Sequence, residues 1–162
     1  MPASVPASEP VTSLPVETFR TIIQFAPLIS IDLLLSTPDD RYLMGLRNNE
    51  PAKGTWFVPG GRIRKGETLE RAFSRILHQE TGLDMPMSDG QFYGVFEHIY
   101  STNTFDAEGF GTHYIVLAYK IKIPDASAIR FDNQHSQVTW KTPAEILSAP
   151  NVHDNTKAYF TT

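Results

Sequence analysis

The stretch from Gly60 to Leu83 constrains this chain most. It opens on Pro59-Gly60-Gly61, where no regular element should persist, and runs through a short polar loop into a segment with helical spacing. Leu69, Phe73, Ile76 and Leu77 fall on one face of a helix expected over Glu67 to Thr81, and Gly82 supplies its C-terminal stop. Positions 76, 79 and 80 share a face, being related by i, i+3 and i+4; they are Ile76, Gln79 and Glu80. A glycine loop lets a phosphate approach the backbone closely. A carboxylate on the following helix is a hard oxygen donor for a divalent cation such as magnesium, which keeps waters and bridges to substrate phosphates.

The flanking pattern predicts a mixed α+β (or α/β) architecture. Pro15 to Ala26 reads as a short amphipathic helix, with Val16, Phe19, Ile22 and Ile23 at helical spacing. Two apolar runs, 27–36 and 41–47, are separated by Thr37-Pro38-Asp39-Asp40, which is turn chemistry between strands. Further strands are expected at 55–58, 91–100, 112–123 and 137–141, and Thr142-Pro143-Ala144-Glu145 is a capping box that predicts another helix. Asp32 stands out, because a charge inside an apolar strand needs a partner or a ligand. Residues 1 to about 14 carry Pro2, Pro6 and Pro10 and read as a flexible tail, leaving 15–162 as one domain.

Composition then narrows the function. With 14 Lys+Arg against 18 Asp+Glu, the net charge of −4 argues against a general nucleic-acid binder. The absence of cysteine removes disulfides, thiolate-held zinc and thiol nucleophiles. No apolar run approaches the length of a membrane span, and the first residues lack the basic and apolar regions of a secretory signal, so a cytoplasmic protein with no membrane partner is expected.

The stretch resembles the Nudix box, whose pattern is Gly, five residues, Glu, seven residues, then Arg-Glu-apolar-x-Glu-Glu-x-Gly-apolar. Gly61, Glu67, Arg75, Leu77, Glu80, Gly82 and Leu83 fall in register, whereas Ile76 and Gln79 stand where the pattern has glutamates. The resemblance implies the Nudix fold, a mixed β-sheet sandwiched between helices. More narrowly, the chain resembles the GDP-mannose mannosyl hydrolase branch of that superfamily, whose box also lacks those two glutamates. That likeness runs from about Phe19 to Phe160 and includes residues 54–62, 91–95, Thr112-His113-Tyr114, Gln134-His135 and Asn151-Val152-His153.

What this likeness implies is magnesium-dependent hydrolysis (with manganese as a possible substitute) of GDP-mannose or GDP-glucose at the anomeric carbon, with inversion, by a homodimer. By resemblance, the Gly60 carbonyl, Glu80 and Gln134 hold one metal ion, His135 is the general base, and Arg47 assists departure of the diphosphate. Phe19, Asp32, Arg62, Arg75, His98 and Tyr114 match substrate-contacting positions. Alternatives stay open for several of them. Asp32 could be a structural carboxylate, Phe19 a core residue, Arg47 a strand-end charge, and Arg75 a partner of Gln79. Glu67 is expected to hold the loop rather than bind metal. Two other functions also remain: a conventional Nudix pyrophosphohydrolase acting on a nucleotide sugar, and a non-hydrolytic nucleotide-binding module.

Overall fold

The computed structural model describes residues 13–130 and 137–161. Most of the expected tail, and the expected Gln134-His135 pair, lie outside the described residues. Helix α1 (Val16–Phe25) precedes strands β1 (Leu28–Ser36), β2 (Tyr42–Leu46), β3 (Trp56–Phe57) and β4 (Gly60–Arg62). Helix α2 (Leu69–Thr81) and a 3₁₀ turn (Met87–Asp89) lead to β5 (Gln91–Tyr100) and β6 (Thr112–Lys122). After a second 3₁₀ turn (Ala126–Ala128) come β7 (Val138–Lys141), α3 (Pro143–Ser148) and α4 (Asp154–Lys157).

The strands form one mixed sheet in the order β3-β2-β1-β6-β5, with β4 also on β1 and β7 also on β2. β1 runs parallel to β6 over its whole length, from Leu28↔Tyr114 to Ser36↔Lys122. Its other edge is shared: β4 pairs with Ser30 to Asp32, and β2 meets it at Ser36. Cores pack on both of its faces, so Ser30 to Leu35 are buried, and the strand reads as a mostly apolar run rather than an alternating one. Ile31, Leu33 and Leu35 join Phe73, Ile76 and Leu77 of α2 in one core, while Leu34 faces Met44, Ile146, Val152 and Tyr159 in the other. Because side chains alternate along a strand, Asp32 shares the face of Leu34.

Two local expectations need correction. The long helix starts at Leu69, two residues later than its spacing suggested, because Thr68 caps it by accepting from the Arg71 amide at 3.2 Å. Gly60 and Gly61 do not simply break the chain; with Arg62 they form β4, paired antiparallel to β1 in the register Asp32↔Gly60, Ile31↔Gly61 and Ser30↔Arg62. The four-residue α4, capped by the His153 ring accepting from the Asn155 amide at 3.1 Å, has too few residues to show a helical period. The predicted capping box of α3 is present, with Thr142 and Glu145 satisfying each other's backbone amides. None of the helices among the described residues is long and apolar enough to cross a membrane.

Candidate active site

β1, β3, β4, β5 and β6, with Arg47 just beyond β2, wall a pocket lined by Asp32, Arg47, Gly60, Arg62, His98 and Tyr114, with Ser30, Phe57 and Tyr100 beside them. Six of the residues singled out in the sequence therefore line one cavity. Sheet pairing explains the convergence. Asp32 lies opposite Gly60, Ser30 opposite Arg62, and His98 opposite Tyr114.

Gly60 is a glycine because of what lies against it. A β-carbon there would collide with Asp32 Oδ1 and come within 2.7 Å of the Ile31 carbonyl oxygen. Asp32 is buried, and its Oδ2 accepts from the Tyr159 hydroxyl at 2.5 Å. Burial raises the Asp32 pKa to about 7, against the lowering effects of the Tyr159 hydrogen bond and the Arg47 charge; the negative charge of Glu80 adds to the rise. Asp32 and Glu80 thus face each other electrostatically across the β1–α2 junction. Arg47, at the end of β2, donates from Nε to the Pro51 carbonyl at 2.7 Å, which fixes the direction of its planar fork. The loop that follows is tight: Gly54, with φ of +80°, donates back to the Arg47 carbonyl at 2.9 Å.

His98 is also buried, within van der Waals reach of the rings of Phe57 and Tyr159. Burial, aided by the neighbouring His153, pushes its pKa down to about 4, so the ring is neutral near neutral pH. Burial pushes Tyr100 up to about 12 and raises Tyr114, keeping both hydroxyls protonated.

A second hollow adjoins the first and shares Arg47, Pro51 and Tyr114 with it. Phe19 from α1 lines it, and the Arg62 guanidinium sits 4.8 Å from the Phe19 ring centre. Phe19 is therefore a wall of a cavity contiguous with the pocket. Thr104 also lines it, and next to Thr104 the Asn103 amide holds Ala107, Phe110 and Phe105 through four hydrogen bonds of 2.8–3.1 Å that organise the 101–111 loop.

Arg75 does not line either cavity. Its Nε and Nη2 reach Glu67 at 2.5 and 2.8 Å, Nη2 also donates to the Arg62 carbonyl at 2.8 Å, and Nη1 donates to Gln79 at 3.1 Å. Glu67 in turn accepts from the Arg64 amide at 2.8 Å, and the Arg75 hydrogen bond holds its pKa below the usual carboxylate range. The pair clamps the 62–67 loop onto α2, so Arg75 reaches the pocket through Arg62, which it holds by the backbone. Ile76 is 1 % exposed, sits in the α2 core and packs beneath Gly61.

This leaves Glu80 as the one carboxylate of the triad 76, 79, 80; it does not line either cavity, but its charge is felt at Asp32. Among the described residues, no group of three or more His, Cys, Asp or Glu could hold a metal ion. The donor set proposed from the sequence fits a single hard cation: the Gly60 carbonyl and the Glu80 carboxylate are oxygens, and one amide oxygen would leave positions for water and phosphate.

Sequence reasoning missed Tyr100, which lines the pocket, and Tyr159, which touches the lining residues Asp32 and His98. Tyr100 follows His98 by two positions, so strand alternation alone could have put both on one face. Tyr159 gave no such signal, because its partner Asp32 is 127 residues away and its own segment is a short polar turn.

The NUDIX domain model matches residues 27–161. The chain belongs to the NUDIX family. As a Nudix hydrolase it shares 38% identity over 133 residues with the low-salt glycan biosynthesis protein Agl8 of Haloferax volcanii, covering 82% of this chain and 81% of that protein. An ADP-ribose pyrophosphatase of Methanocaldococcus jannaschii is 39% identical over 57 residues, which is 35% of this chain and 33% of that one. The fold is that of the MutT protein of Methanosarcina mazei, with a TM-score of 0.66 at 19% identity, covering 83% of this chain and 91% of that chain. It is also that of the NUDIX domain of Shewanella oneidensis NrtR in complex with ADP ribose, with a TM-score of 0.56 at 23% identity, covering 90% of this chain and 95% of that one. Nudix hydrolases generally work with divalent metal ions, which accords with the oxygen donors around Gly60 and Glu80.

Proposed function

We propose that this Nudix hydrolase releases GDP and free hexose from GDP-mannose or GDP-glucose by attack of water at the anomeric carbon. The observation that carries the reading is the state of the helix face at 76, 79 and 80: Ile76 is in the core, Gln79 accepts from Arg75, and only Glu80 is acidic. Attack at phosphorus by a multi-metal cluster draws on several carboxylates, because hard cations are held largely by ligand charge. Attack at carbon asks less of the metal, which need only neutralise a departing diphosphate.

In this reading the Gly60 carbonyl, Glu80 and Gln134 would hold one magnesium ion (or manganese), and the ion would supply positive charge against the diphosphate. Arg47 and Arg62, both in the pocket lining, grip phosphate oxygens with planar donor forks. Asp32, His98 and Tyr114 orient the hexose, and Phe19 offers a stacking face to the base. His135, by resemblance the general base, takes a proton from water as its oxygen bonds to the anomeric carbon. The bond from that carbon to the diphosphate oxygen breaks on the opposite face, its electron pair leaving with GDP, so configuration inverts.

The name of the Agl8 relative supports a place in glycan metabolism, where nucleotide sugars are consumed. The short match to an ADP-ribose pyrophosphatase and the ADP-ribose complex of NrtR favour a second reading, cleavage of a nucleotide sugar between its phosphates. Incubation with GDP-mannose and magnesium in water enriched in heavy oxygen separates them. Label in free mannose is expected; label in a phosphate product would favour the second reading, and absence of turnover a binding module. A homodimer, implied by the same resemblance, is tested by sedimentation of the purified protein, and the cytoplasmic location expected from the sequence by fractionation of the producing cells.

A further inference from the structure

Tyr159 lies at the far end of the chain, after α4, and is 2 % exposed. Its ring meets Phe96 edge-on at 4.6 Å between centres, within the core that also holds Leu34 and Ala118. Its hydroxyl is the only polar part of the side chain, and it touches two residues of the pocket. It lies 2.5 Å from Asp32 Oδ2 and 3.3 Å from His98 Nε2.

One proton cannot serve both contacts. At 2.5 Å the shorter one has the length of a bond from a hydroxyl to an ionised carboxylate, which accepts, so the phenolic hydrogen goes to Asp32. The longer contact is then satisfied only if His98 Nε2 carries a hydrogen and donates it to the phenolic oxygen. A neutral imidazole holds one ring hydrogen, so Nδ1 is left bare as an acceptor. Asp32 Oδ1, the oxygen that Tyr159 does not take, rests against the Gly60 backbone at the pocket wall. Asp32 and His98, each with an acceptor that Tyr159 leaves free, both line the pocket. The donors Arg47 and Arg62 line the same cavity.

We propose that Tyr159 is a positioning residue that fixes Asp32 and the Nε2-protonated tautomer of His98 as a pair of acceptors for the hydroxyl groups of an uncharged sugar ring. A phosphate or carboxylate would be repelled there and directed to the arginines; a polyol, rich in O–H donors, is matched. The sugar half of this inference rests on the proposed function, whereas the tautomer half rests on the hydrogen-bond geometry alone.

The test uses the full-length protein and the variant Tyr159→Phe, which keeps the buried ring and removes the hydroxyl. Nitrogen-detected imidazole spectra of the wild type, recorded above neutral pH where Asp32 is ionised, should show His98 protonated at Nε2, and the variant should lose that preference. With magnesium present, the KM for GDP-mannose should rise about tenfold, as expected for disturbed hydrogen bonds to a bound ligand. The rise should exceed any fall in kcat, while the competitive inhibition constant of GDP, which has no sugar, stays within about twofold. Wild-type spectra with His98 protonated at Nδ1 overturn the positioning role, and they need no variant to fold. Equal weakening of GDP and GDP-mannose, or no change in either, overturns the sugar-binding role. A wild-type protein that does not turn over GDP-mannose overturns the proposed function and the sugar half together, leaving the spectra to decide the tautomer half.

Discussion

Asp32 Oδ1 occupies the space into which a side chain on Gly60 would project, so the buried acid of β1 and the glycine of β4 are fitted to each other across one rung of the sheet. The close approach of the Ile31 carbonyl from the same strand leaves no direction for relief. Gly60→Ala is therefore expected to lower stability by about 2 kcal/mol, within the range of core overpacking, and to displace Asp32 from the pocket. Urea denaturation followed by fluorescence measures the first, and loss of turnover the second. A fully stable and active Gly60→Ala protein would refute this account of the glycine.

The clamp between Arg75 and Glu67 makes a separate prediction. The Glu67 side chain is only 5 % exposed, so removing its partner leaves a carboxylate with little access to water. Arg75→Ala should cost about 3 kcal/mol, as when one member of a buried pair is lost. Glu67 has a folded-state pKa held below its unfolded value by Arg75. The stability it contributes is complete above the unfolded pKa and disappears as the pH falls through the folded one. In Glu67→Gln that acid-side loss should be shallower, which denaturation curves between neutral pH and the carboxylate range would reveal.

How far the sequence could reach is seen in these two pairs. The Arg75–Glu67 clamp joins residues eight apart in one motif, and Glu67 could be read as a loop-holder before any coordinates. The apolar stripe of α2, the buried run of β1 and the capping box of α3 were equally legible, since each rests on short-range periodicity or turn chemistry. β4 was not, because two glycines and an arginine carry no strand pattern; they pair only because β1 offers an open edge and no β-carbon intervenes. Asp32 was visible as an anomaly, a charge in an apolar strand, but its partner Tyr159 was not. That hydrogen bond is a product of chain folding over 127 residues, and nothing local announces it.

His98 should remain neutral well into the acid range. Its folded pKa, pushed down to about 4 by burial and by His153, lies below the ordinary value of 6.5. Acid therefore protonates the unfolded chain first. The native state keeps its full margin above about pH 6.5 and loses part of it as the pH falls from there toward about 4. Imidazole resonances followed across this window should place the His98 midpoint near 4, and His98→Gln should remove part of the slope of stability with pH. A midpoint close to 6.5 would mean that water reaches the ring freely.

Glu80 bears on the metal. It is the one acidic position of the triad 76, 79, 80, since Ile76 is in the core and Gln79 accepts from Arg75. If the proposed ion is held by this carboxylate and by neutral oxygens, Glu80→Gln removes the one formal charge contributed from the helix, and hard-cation affinity should suffer more than folding does. The magnesium concentration for half-maximal turnover should rise about tenfold or more, the order of loss expected when a ligand interaction of a kcal/mol or two is removed, while the urea midpoint moves little. Direct titration with manganese, followed by its paramagnetic signal, gives the same comparison without turnover. An unchanged metal requirement in the variant would take Glu80 off the ligand set, and the argument for attack at carbon would then need another source for the charge opposite the diphosphate.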